Sequence, residues 1–284
     1  MNNKDKKFAP SYRVGELAKL LSMHPQSVRY FSKVGLIQPI KQTNKKEKRY
    51  ASYDAYKIMV RKQYSNMGFS VEETEQAFSS YTMRKLDKKM VKKIEEKEHM
   101  IQVQERILTG MKQLQDTIEH VAFFENRCFF RIRPATWHHL HLKNDHLYET
   151  SSAIAARKIA MNCMPLCRHS ITIKKEDILT QDLPESTYCD LTINKENAEF
   201  FDFSQLEEAF FVPEQTCIYT CCKIDAFDSV NWSYLSHVDR FLIENNLKIN
   251  GNAEFLPILN PLIADEDASE RYRYFEVWIP VTSL

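Results

Sequence analysis

One long segment without proline divides this chain into parts. Residues 83–121 contain a single glycine, Gly110, and are rich in Lys, Glu, Gln, Met, Ile and Leu, which is typical of a long α-helix. A helix of roughly 35 residues is about 50 Å long, and one small domain cannot cover it. The segment therefore predicts separate modules before and after it, and the 284 residues allow each module to bury its own core.

Apolar residues recur every seven positions within this helical segment. They form two neighbouring stripes, the first of Met100, Ile107, Leu114 and Val121 and the second of Ile94, Ile101 and Leu108. Such stripes need a covering partner. Residues 81–122 are therefore predicted to be a dimerisation helix that forms a coiled coil with a second copy, and a helix folded back on its own chain is the alternative.

Charge is distributed unevenly along the chain, although the net charge is only +1. Residues 1–80 carry 15 basic and 7 acidic side chains, whereas residues 121–284 carry 15 basic and 24 acidic ones. A basic first module favours a polyanionic partner, with a solvated basic surface as the plainer alternative. No apolar leader or membrane span is visible and all seven cysteines lie beyond residue 127, so reduced thiols and a cytoplasmic location are expected.

The first module begins with two short helices joined by a tight turn. The apolar spacing of the first helix is shown by Val14, Leu17, Ala18 and Leu21. The second helix has His24 at its N-terminal cap and Pro25 in its first turn, and Gly35 follows its end. In a segment rich in Lys and Arg, this pair predicts a helix-turn-helix whose second helix enters the major groove of DNA.

A polar stretch and two more helices complete the first module. Five Lys or Arg residues lie between Lys41 and Arg49, flanked by short apolar pieces, which predicts a hairpin or wing that reaches DNA phosphates. A third helix follows from Ala55, and Ser70 with Glu73 forms the capping box of a fourth.

This order of motifs resembles the DNA-binding domain of the MerR family, here over residues 11–80. The likeness rests on VGELAKL, VRYF, GLIQP, the wing from Asn44 to Tyr50, Asp54 and MGFSVEE. It implies that Arg29 and Tyr30 approach bases and phosphates, and that Arg49 and the wing lysines hold the DNA backbone. It also implies an antiparallel arrangement of the coiled coil. The positions expected to contact DNA are Tyr12, Arg13, Gln26, Ser27, Arg29, Tyr30, Lys33, Lys45, Lys46, Lys48 and Arg49.

Three features depart from the MerR pattern. His24 stands where the family usually has Ser or Thr, Phe31 replaces a second Tyr, and Lys45 or Lys46 replaces a glycine of the wing. Phe31 lacks a hydroxyl that could bond a phosphate, and core packing is the alternative role of both Tyr30 and Phe31. A wing without glycine is expected to adopt a different turn.

The last module, residues 124–284, shows one order of elements twice. The first unit contains FFRIR, TWHHLHL, a helical piece from Leu147 to Cys163, RHSITI and YCDLTI. The second contains LEEAFFV, CIYTCCKI, a helical piece from Val230 to Asn246, EFLPIL and YRYFEVWIPV. Two β-β-α-β-β repeats predict an α+β domain with a cleft between its halves. The whole chain is thus predicted to be multi-domain, with an all-α winged helix-turn-helix head, a long coiled-coil helix and this α+β domain.

This arrangement is similar to the GyrI-like effector-binding domain, through Pro213, the WSYL helix, NGNAEF and EVWIPV. In relatives that sense drugs, a glutamate in an aromatic-lined cavity meets an organic cation, and Glu254 occupies the matching place, with Glu276 as second candidate. A carboxylate buried without a partner is costly, and a cationic ligand would offset that cost. The expected ligand-binding residues are Glu254, Glu276, Tyr148, Trp232, Tyr234, Leu256, Tyr272 and Tyr274. Strand alternation places Tyr272, Tyr274 and Glu276 on one face. The alternative is ordinary core aromatics and surface glutamates.

The expected function is that of an effector-responsive transcription regulator, an activator without enzymatic activity or cofactor. It would bind a pseudo-palindromic promoter as a homodimer. A small hydrophobic or cationic organic effector would then make it distort the double-stranded DNA so that RNA polymerase engages.

Two other functions are left open by the sequence. A thiolate metal or redox sensor would use Cys128, which stands alone at the end of the long helix, or Cys163 with Cys167. A GyrI-like hydrolase fused to a DNA-binding head would use a Glu and a Tyr of the cleft. His138, His139 and His141 show no nucleophile–base spacing that would identify them as participants.

Overall fold

The structure is a computed structural model that describes residues 10–40, 48–144, 146–180, 188–225, 228–258, 263–264 and 271–283. Contacts divide the chain into two compact units, Met1–Ile101 and Gln102–Leu284. In the described residues, no helix is both long enough and apolar enough to cross a membrane.

The head contains short strands and helices around a small core. Its described elements are β1 (Ser11–Arg13), α1 (Val14–Leu20), α2 (Pro25–Lys33), β2 (Arg49–Ala51), α3 (Ser52–Asn66) and α4 (Val71–Ser79). The strands pair antiparallel, with Tyr12 opposite Tyr50. The buried core consists of Leu17, Ala18, Val28, Ile37, Tyr50 and Ile58. The predicted helix-turn-helix of α1 and α2 is therefore present, and Val28 of α2 faces α1 through this core.

Local signals set the helix ends as predicted. The Nδ1 atom of His24 accepts the N–H of Gln26 at 3.2 Å, and Gly35 follows α2 with a φ of +81°. Ser70 and Glu73 bond reciprocally, because the Ser70 N–H donates to the Glu73 carboxylate at 2.9 Å and the Glu73 N–H donates to the Ser70 hydroxyl at 3.1 Å. Most of the predicted wing, with Lys45 and Lys46, lies outside the described residues.

The second unit is built on one large sheet with helices. Its strands are β3 (Phe129–Arg133), β4 (Thr136–Lys143), β5 (His146–Leu147), β6 (Cys167–Ile173), β7 (Tyr188–Asn194), β8 (Phe210–Val212), β9 (Gln215–Asp225), β10 (Leu247–Ile249), β11 (Ala253–Pro257), β12 (Ile263–Ala264) and β13 (Arg271–Ser283). The long helix is α5 (Met83–Phe124), and the later helices are α6 (Ser151–Cys163), α7 (Lys175–Thr180), α8 (Lys195–Phe200) and α9 (Ser236–Glu244). A 3-10 turn at Trp232–Leu235 precedes α9.

The strand order is β3-β9-β13-β11-β6-β7-β4-β5, and β8 also pairs with β4. Exchanging β3, β4, β6 and β7 for β8, β9, β11 and β13, respectively, turns the order β3-β9-β13-β11-β6-β7-β4-β8 into the same order read from its other end. Because β3 and β4 lie near opposite ends of this order but are joined only by Pro134 and Ala135, the sheet must curl until these strands meet. Arg133 of β3 lies close to Thr136 and His138 of β4 at this junction.

The two faces of the curled sheet differ in chemistry, because side chains alternate along each strand. One face is apolar and packs against α6 and α9, with Leu191, Phe255 and Phe275 among its buried residues. The other face, called the polar face below, carries charged and polar side chains, which include Arg133, Arg168, His138, Asp190, Glu254, Glu276 and Tyr219. The fold thus collects buried charges on one face.

Helix α5 begins and ends within three residues of the predicted range. Its two stripes have different surroundings. Leu114 and Val121, predicted to face a second copy, pack instead in a cluster with Tyr219 and Trp278 of their own unit, together with Phe124. In contrast, the side chains of the second stripe are exposed, with 51% for Ile94, 56% for Ile101 and 52% for Leu108.

Candidate functional sites

Helix α2 presents one exposed polar face. Gln26, Arg29, Tyr30 and Lys33 follow each other at helical spacing and are all exposed, whereas Val28 is fully buried. Ser27 is half-buried. The buried and exposed residues therefore orient α2 so that four of the predicted DNA-contacting side chains point away from the core.

Phe31 has a structural role that explains the absence of a hydroxyl. It packs against the core of the head, and the Arg61 guanidinium lies 5.6 Å from its ring centroid. Tyr30, its neighbour, is 51% exposed and is free of the core. Of the two aromatic residues, only Tyr30 is thus placed for contact with DNA.

The remaining predicted DNA contacts lie around the strand pair β1 and β2. Tyr12 is half-buried against the core, and Arg13 and Lys48 are exposed. Arg49 is turned toward its own chain, since its guanidinium donates to the Ser11 carbonyl at 2.6 Å and to the Ser11 hydroxyl at 3.0 Å. Two donors of Arg49 therefore join β2 to β1, and its contact with DNA phosphate stays a prediction.

Glu254 lies on the polar face but does not lack a partner. Its Oε2 atom accepts a hydrogen bond from Arg133 Nη2 at 2.6 Å, and its Oε1 atom lies 3.4 Å from His138 Nε2. Arg133 is also 3.1 Å from the same ring nitrogen, and Asp190 lies 3.7 Å from Nδ1 of His138. The expectation of an unpaired carboxylate at Glu254 is therefore wrong, because β3 supplies an internal cation.

Glu276 is paired in a similar way. Its carboxylate accepts hydrogen bonds from Arg168 and, at 3.0 Å, from the hydroxyl of Tyr219. Arg168 also donates to the Pro257 carbonyl at 3.1 Å. Burial and the neighbouring Glu276 charge raise the pKa of Tyr219 well above its ordinary value, so this phenol stays protonated and donates.

The predicted aromatic lining is divided between the faces. Tyr272, Tyr274 and Glu276 share one face of β13 as predicted, and Tyr274 belongs to the cluster that contains Tyr219. Leu256 lies opposite Glu276 in the strand register and is 7% exposed.

Two other predicted aromatic residues, Trp232 and Tyr234, lie away from the polar face. Trp232 and Tyr234 pack in the apolar core with Phe255 and Phe275, so their assignment to a cavity with Glu254 is wrong. The 3-10 turn and α9 carry them onto the apolar side of the sheet. Tyr148 follows β5, and its backbone bonds to His141 and Arg157.

Five polar-face residues were not predicted, namely Arg133, Arg168, His138, Asp190 and Tyr219. The pattern FFRIR held a usable signal, because arginines two positions apart on a strand share one face. Their partners, however, lie on strands that only the fold brings near. Within the described residues, no group of three or more His, Cys, Asp or Glu side chains could hold a metal ion.

Helices α1 and α2, with the exposed polar face of α2, place the head in the class of helix-turn-helix DNA-binding proteins. Residues 12–80 match the model of the MerR HTH family of regulatory proteins. A similar curated protein is the heavy metal-dependent transcription regulator 2 of Rhizobium meliloti. It is 25% identical over 109 residues, which are 38% of this chain and 73% of that protein.

Solved structures overlap with either part of the chain. A MerR-family transcriptional regulator from Bacillus cereus covers 39% of this chain and 83% of its own at 18% identity, with a TM-score of 0.35. A hydrolase from Listeria innocua covers 58% of this chain and 98% of its own at 10% identity, with a TM-score of 0.36. Both TM-scores are well below 0.5, and neither likeness bears on function.

Proposed function

We propose that the protein is a ligand-responsive transcription activator that binds promoter DNA as a homodimer. One observation carries this proposal: a MerR-type head with an exposed polar face on α2 is joined, in one chain, to a second unit with a polar face rich in buried charges. The head supplies binding to DNA, and the second unit supplies the response to a small organic molecule.

The DNA contact is made by α2 in the major groove of each half of a pseudo-palindromic promoter. Arg29 and Gln26 carry the donors that read base edges, and Lys33 neutralises phosphate. Replacing Lys33 with Ala should make the slope of log K against log salt less steep by about 2, because each copy in the dimer releases one fewer counterion. Electrophoretic mobility shifts with the chain's own promoter between 50 and 200 mM salt measure this.

Lys158→Ala is the matched control for this experiment, since it removes an exposed lysine from α6 in the other unit. Its salt slope should equal that of the wild type. An unchanged slope for Lys33→Ala would contradict the assigned role of α2.

Dimerisation is assigned to α5. The exposed stripe of Ile94, Ile101 and Leu108 supports an antiparallel coiled coil with a second copy, since isolated apolar stripes of this length are unfavourable in water. Such a dimer would present two α2 helices to two half-sites.

The ligand response is assigned to the second unit, which we interpret as a GyrI-like domain of two β-β-α-β-β repeats. The exchange symmetry of its strand order supports two repeats. Ligand binding at the polar face would lead the dimer to bend and untwist the promoter so that RNA polymerase engages both promoter elements. In vitro transcription from the promoter, with and without an effector that binds tightly, tests this step; unchanged transcription would refute it.

Hydrolysis is a second candidate function, favoured by one observation. The Tyr219 hydroxyl donates to Glu276 at 3.0 Å on the polar face, which is an acid beside a carboxylate. However, Arg168 already neutralises Glu276, which weakens it as a base. Turnover of an effector by the wild type, abolished in Tyr219→Phe, would favour this function over sensing.

A thiol-based sensor has less support from the geometry. The hydrogen bond from Cys167 lowers the pKa of Cys163, but Cys163 is fully buried. Burial raises the pKa of the Cys128 thiol to about 11, and the hydrogen bond with Cys163, together with burial, raises the pKa of Cys167 well above its ordinary value. Both therefore stay protonated at neutral pH, whereas metal ligands and reactive thiols are thiolates. Elemental analysis that found a stoichiometric metal in the purified protein would restore this alternative.

A further inference from the structure

The pair formed by Arg133 and Glu254 is almost fully buried. Arg133 is 4% exposed and Glu254 is 5% exposed, and their nearest charged atoms are 2.6 Å apart. Such a pair has already lost its hydration on both sides. Each charge therefore depends on the other for its electrostatic stabilisation.

This dependence determines which ligands the polar face can hold. An organic cation that took over Glu254 would leave the Arg133 guanidinium buried without its carboxylate. Breaking one side of a buried ion pair is strongly unfavourable, because the remaining charge stays desolvated. An organic anion that bound to Arg133 would likewise leave the Glu254 carboxylate buried without its cation.

The other two carboxylates of the polar face have partners as well. Asp190 is 6% exposed, accepts a hydrogen bond from the Thr172 hydroxyl at 3.3 Å and lies 3.7 Å from His138 Nδ1. Glu276 is 6% exposed and is held by Arg168 and by the Tyr219 hydroxyl.

The side chains beside these pairs are uncharged and largely aromatic: Tyr219 lies 4.7 Å from Trp278 between ring centroids, and Tyr274 packs in the same cluster together with Leu114, Val121 and Phe124 of α5. Such side chains offer an uncharged ligand apolar contact and offer a charged ligand no partner.

We infer that the polar face takes an uncharged organic ligand, and that Arg133 and Glu254 together determine this specificity by neutralising each other. The inference rests on the proposed function, because it concerns the ligand of the same sensing unit. It narrows the expected effector from a hydrophobic or cationic organic molecule to an uncharged one.

Two ions of nearly the same size and shape test the inference, namely tetraphenylphosphonium and tetraphenylborate, with triphenylphosphine oxide as an uncharged probe. Isothermal titration calorimetry on the full chain gives the dissociation constants. Arg133→Gln keeps a hydrogen-bond donor for Glu254 but frees its charge, and should tighten phosphonium binding by about tenfold or more. Glu254→Gln frees Arg133 and should tighten borate binding by a similar factor.

Two control variants separate charge from folding. Arg133→Lys keeps the internal cation, so its ratio of phosphonium to borate affinity should stay at the wild-type value. The double variant Arg133→Gln/Glu254→Gln removes both charges and should return to the same ratio. The uncharged probe should bind all these variants with affinities within a few-fold of each other. Near-ultraviolet circular dichroism identifies any variant that has lost its packing.

The results that would overturn the inference are distinct from those that would overturn the proposed function. If the wild type binds phosphonium at least tenfold more tightly than borate, or if neither Arg133→Gln nor Glu254→Gln changes the ratio, the assigned role of the pair is wrong. If no probe binds any variant while promoter DNA is still bound, the polar face is not a ligand site, and the inference falls with it. Loss of specific promoter binding in the wild type would refute the proposed function itself.

Discussion

Replacing Glu73 with glutamine should loosen the contact between α4 and the first turns of α5, while the N-terminal cap of α4 stays intact. The Glu73 carboxylate accepts from the Ser70 N–H at 2.9 Å and from Lys89 Nζ at 3.0 Å, and Lys93 Nζ lies 3.3 Å away. A glutamine at this position still accepts the Ser70 bond through its amide oxygen, as in other capping boxes. The substitution therefore removes the charge and its two lysine pairs alone.

The size of the effect follows from the exposure of the three side chains. Glu73 is 22% exposed, Lys93 13% and Lys89 35%, so water screens these pairs partly. Partly exposed pairs contribute about 0.2 to 1 kcal/mol each, which gives a loss of about 1 kcal/mol for Glu73→Gln. Glu73→Ala also removes the cap bond, and its loss should be about 2 kcal/mol.

Hydrogen exchange followed by mass spectrometry measures this loss locally. All three tryptophans lie beyond residue 136, so tryptophan fluorescence does not report on the head. A loss of about 1 kcal/mol should raise the exchange rate of amides in α4 about fivefold, if exchange occurs through opening of α4. Glu72→Gln is the matched control, because it removes the same charge from the same helical turn.

The pH dependence supplies a second readout. The Ser70 N–H and then Lys89 lower the pKa of Glu73 from 4.5 to about 2. A lowered pKa means that the stabilisation is fully present above about pH 4.5 and is lost as the pH falls toward 2. The difference between wild type and Glu73→Gln should therefore shrink over this range. If Glu72→Gln and Glu73→Gln speed exchange equally, or if their difference is independent of pH, the lysine pairs do not hold α4 to α5.

Two further predictions concern α5. Gly110→Ala should lower the thermal midpoint seen by tryptophan fluorescence: a Cβ there would lie 2.7 Å from Leu166 Cδ2, and relieving this costs more than the gain in helix propensity of about 1 kcal/mol. In a Leu166→Ala background the same substitution should be stabilising. If Gly110→Ala alone raised the thermal midpoint, the packing argument would be refuted. Ile101→Lys/Leu108→Lys should convert the dimer to a monomer in light scattering at micromolar concentration, whereas Gln102→Lys, outside both stripes, should not. A dimer that persists in the double variant would refute the coiled coil.

The head could be predicted in detail because its signals act within one or two turns. His24, Gly35 and the Ser70–Glu73 box each determine a helix end through bonds to residues at most three positions away. The apolar spacing of α1 similarly identified its buried side. The inward turn of Arg49 could not be predicted, because its acceptors on Ser11 are 38 residues distant and depend on the pairing of β1 with β2.

For the second unit, the predicted order of elements was more accurate than the predicted contacts between distant segments. The order of strands and helices was correct in outline, and alternation placed Tyr272, Tyr274 and Glu276 together. Trp232 and Tyr234 were misplaced because the direction of α9 depends on packing against Phe255 and Phe275. The same limit applies to Leu114 and Val121, whose apolar stripe fits either a second helix or the chain's own sheet.

The pairing of charges on the polar face depends on the strand order of the sheet. Glu254 and Arg133 are separated by 121 residues, and their strands are three positions apart in the sheet, about 14 Å if the sheet were flat. The short connection between β3 and β4 forces the sheet to curl, and this curl brings the arginine of β3 to the glutamate of β11. A glutamate at the position expected for a cation-binding residue therefore says little about the ligand until its neighbour across the curl is known. In this protein that neighbour is a cation, so the Glu254 carboxylate is already paired within its own sheet.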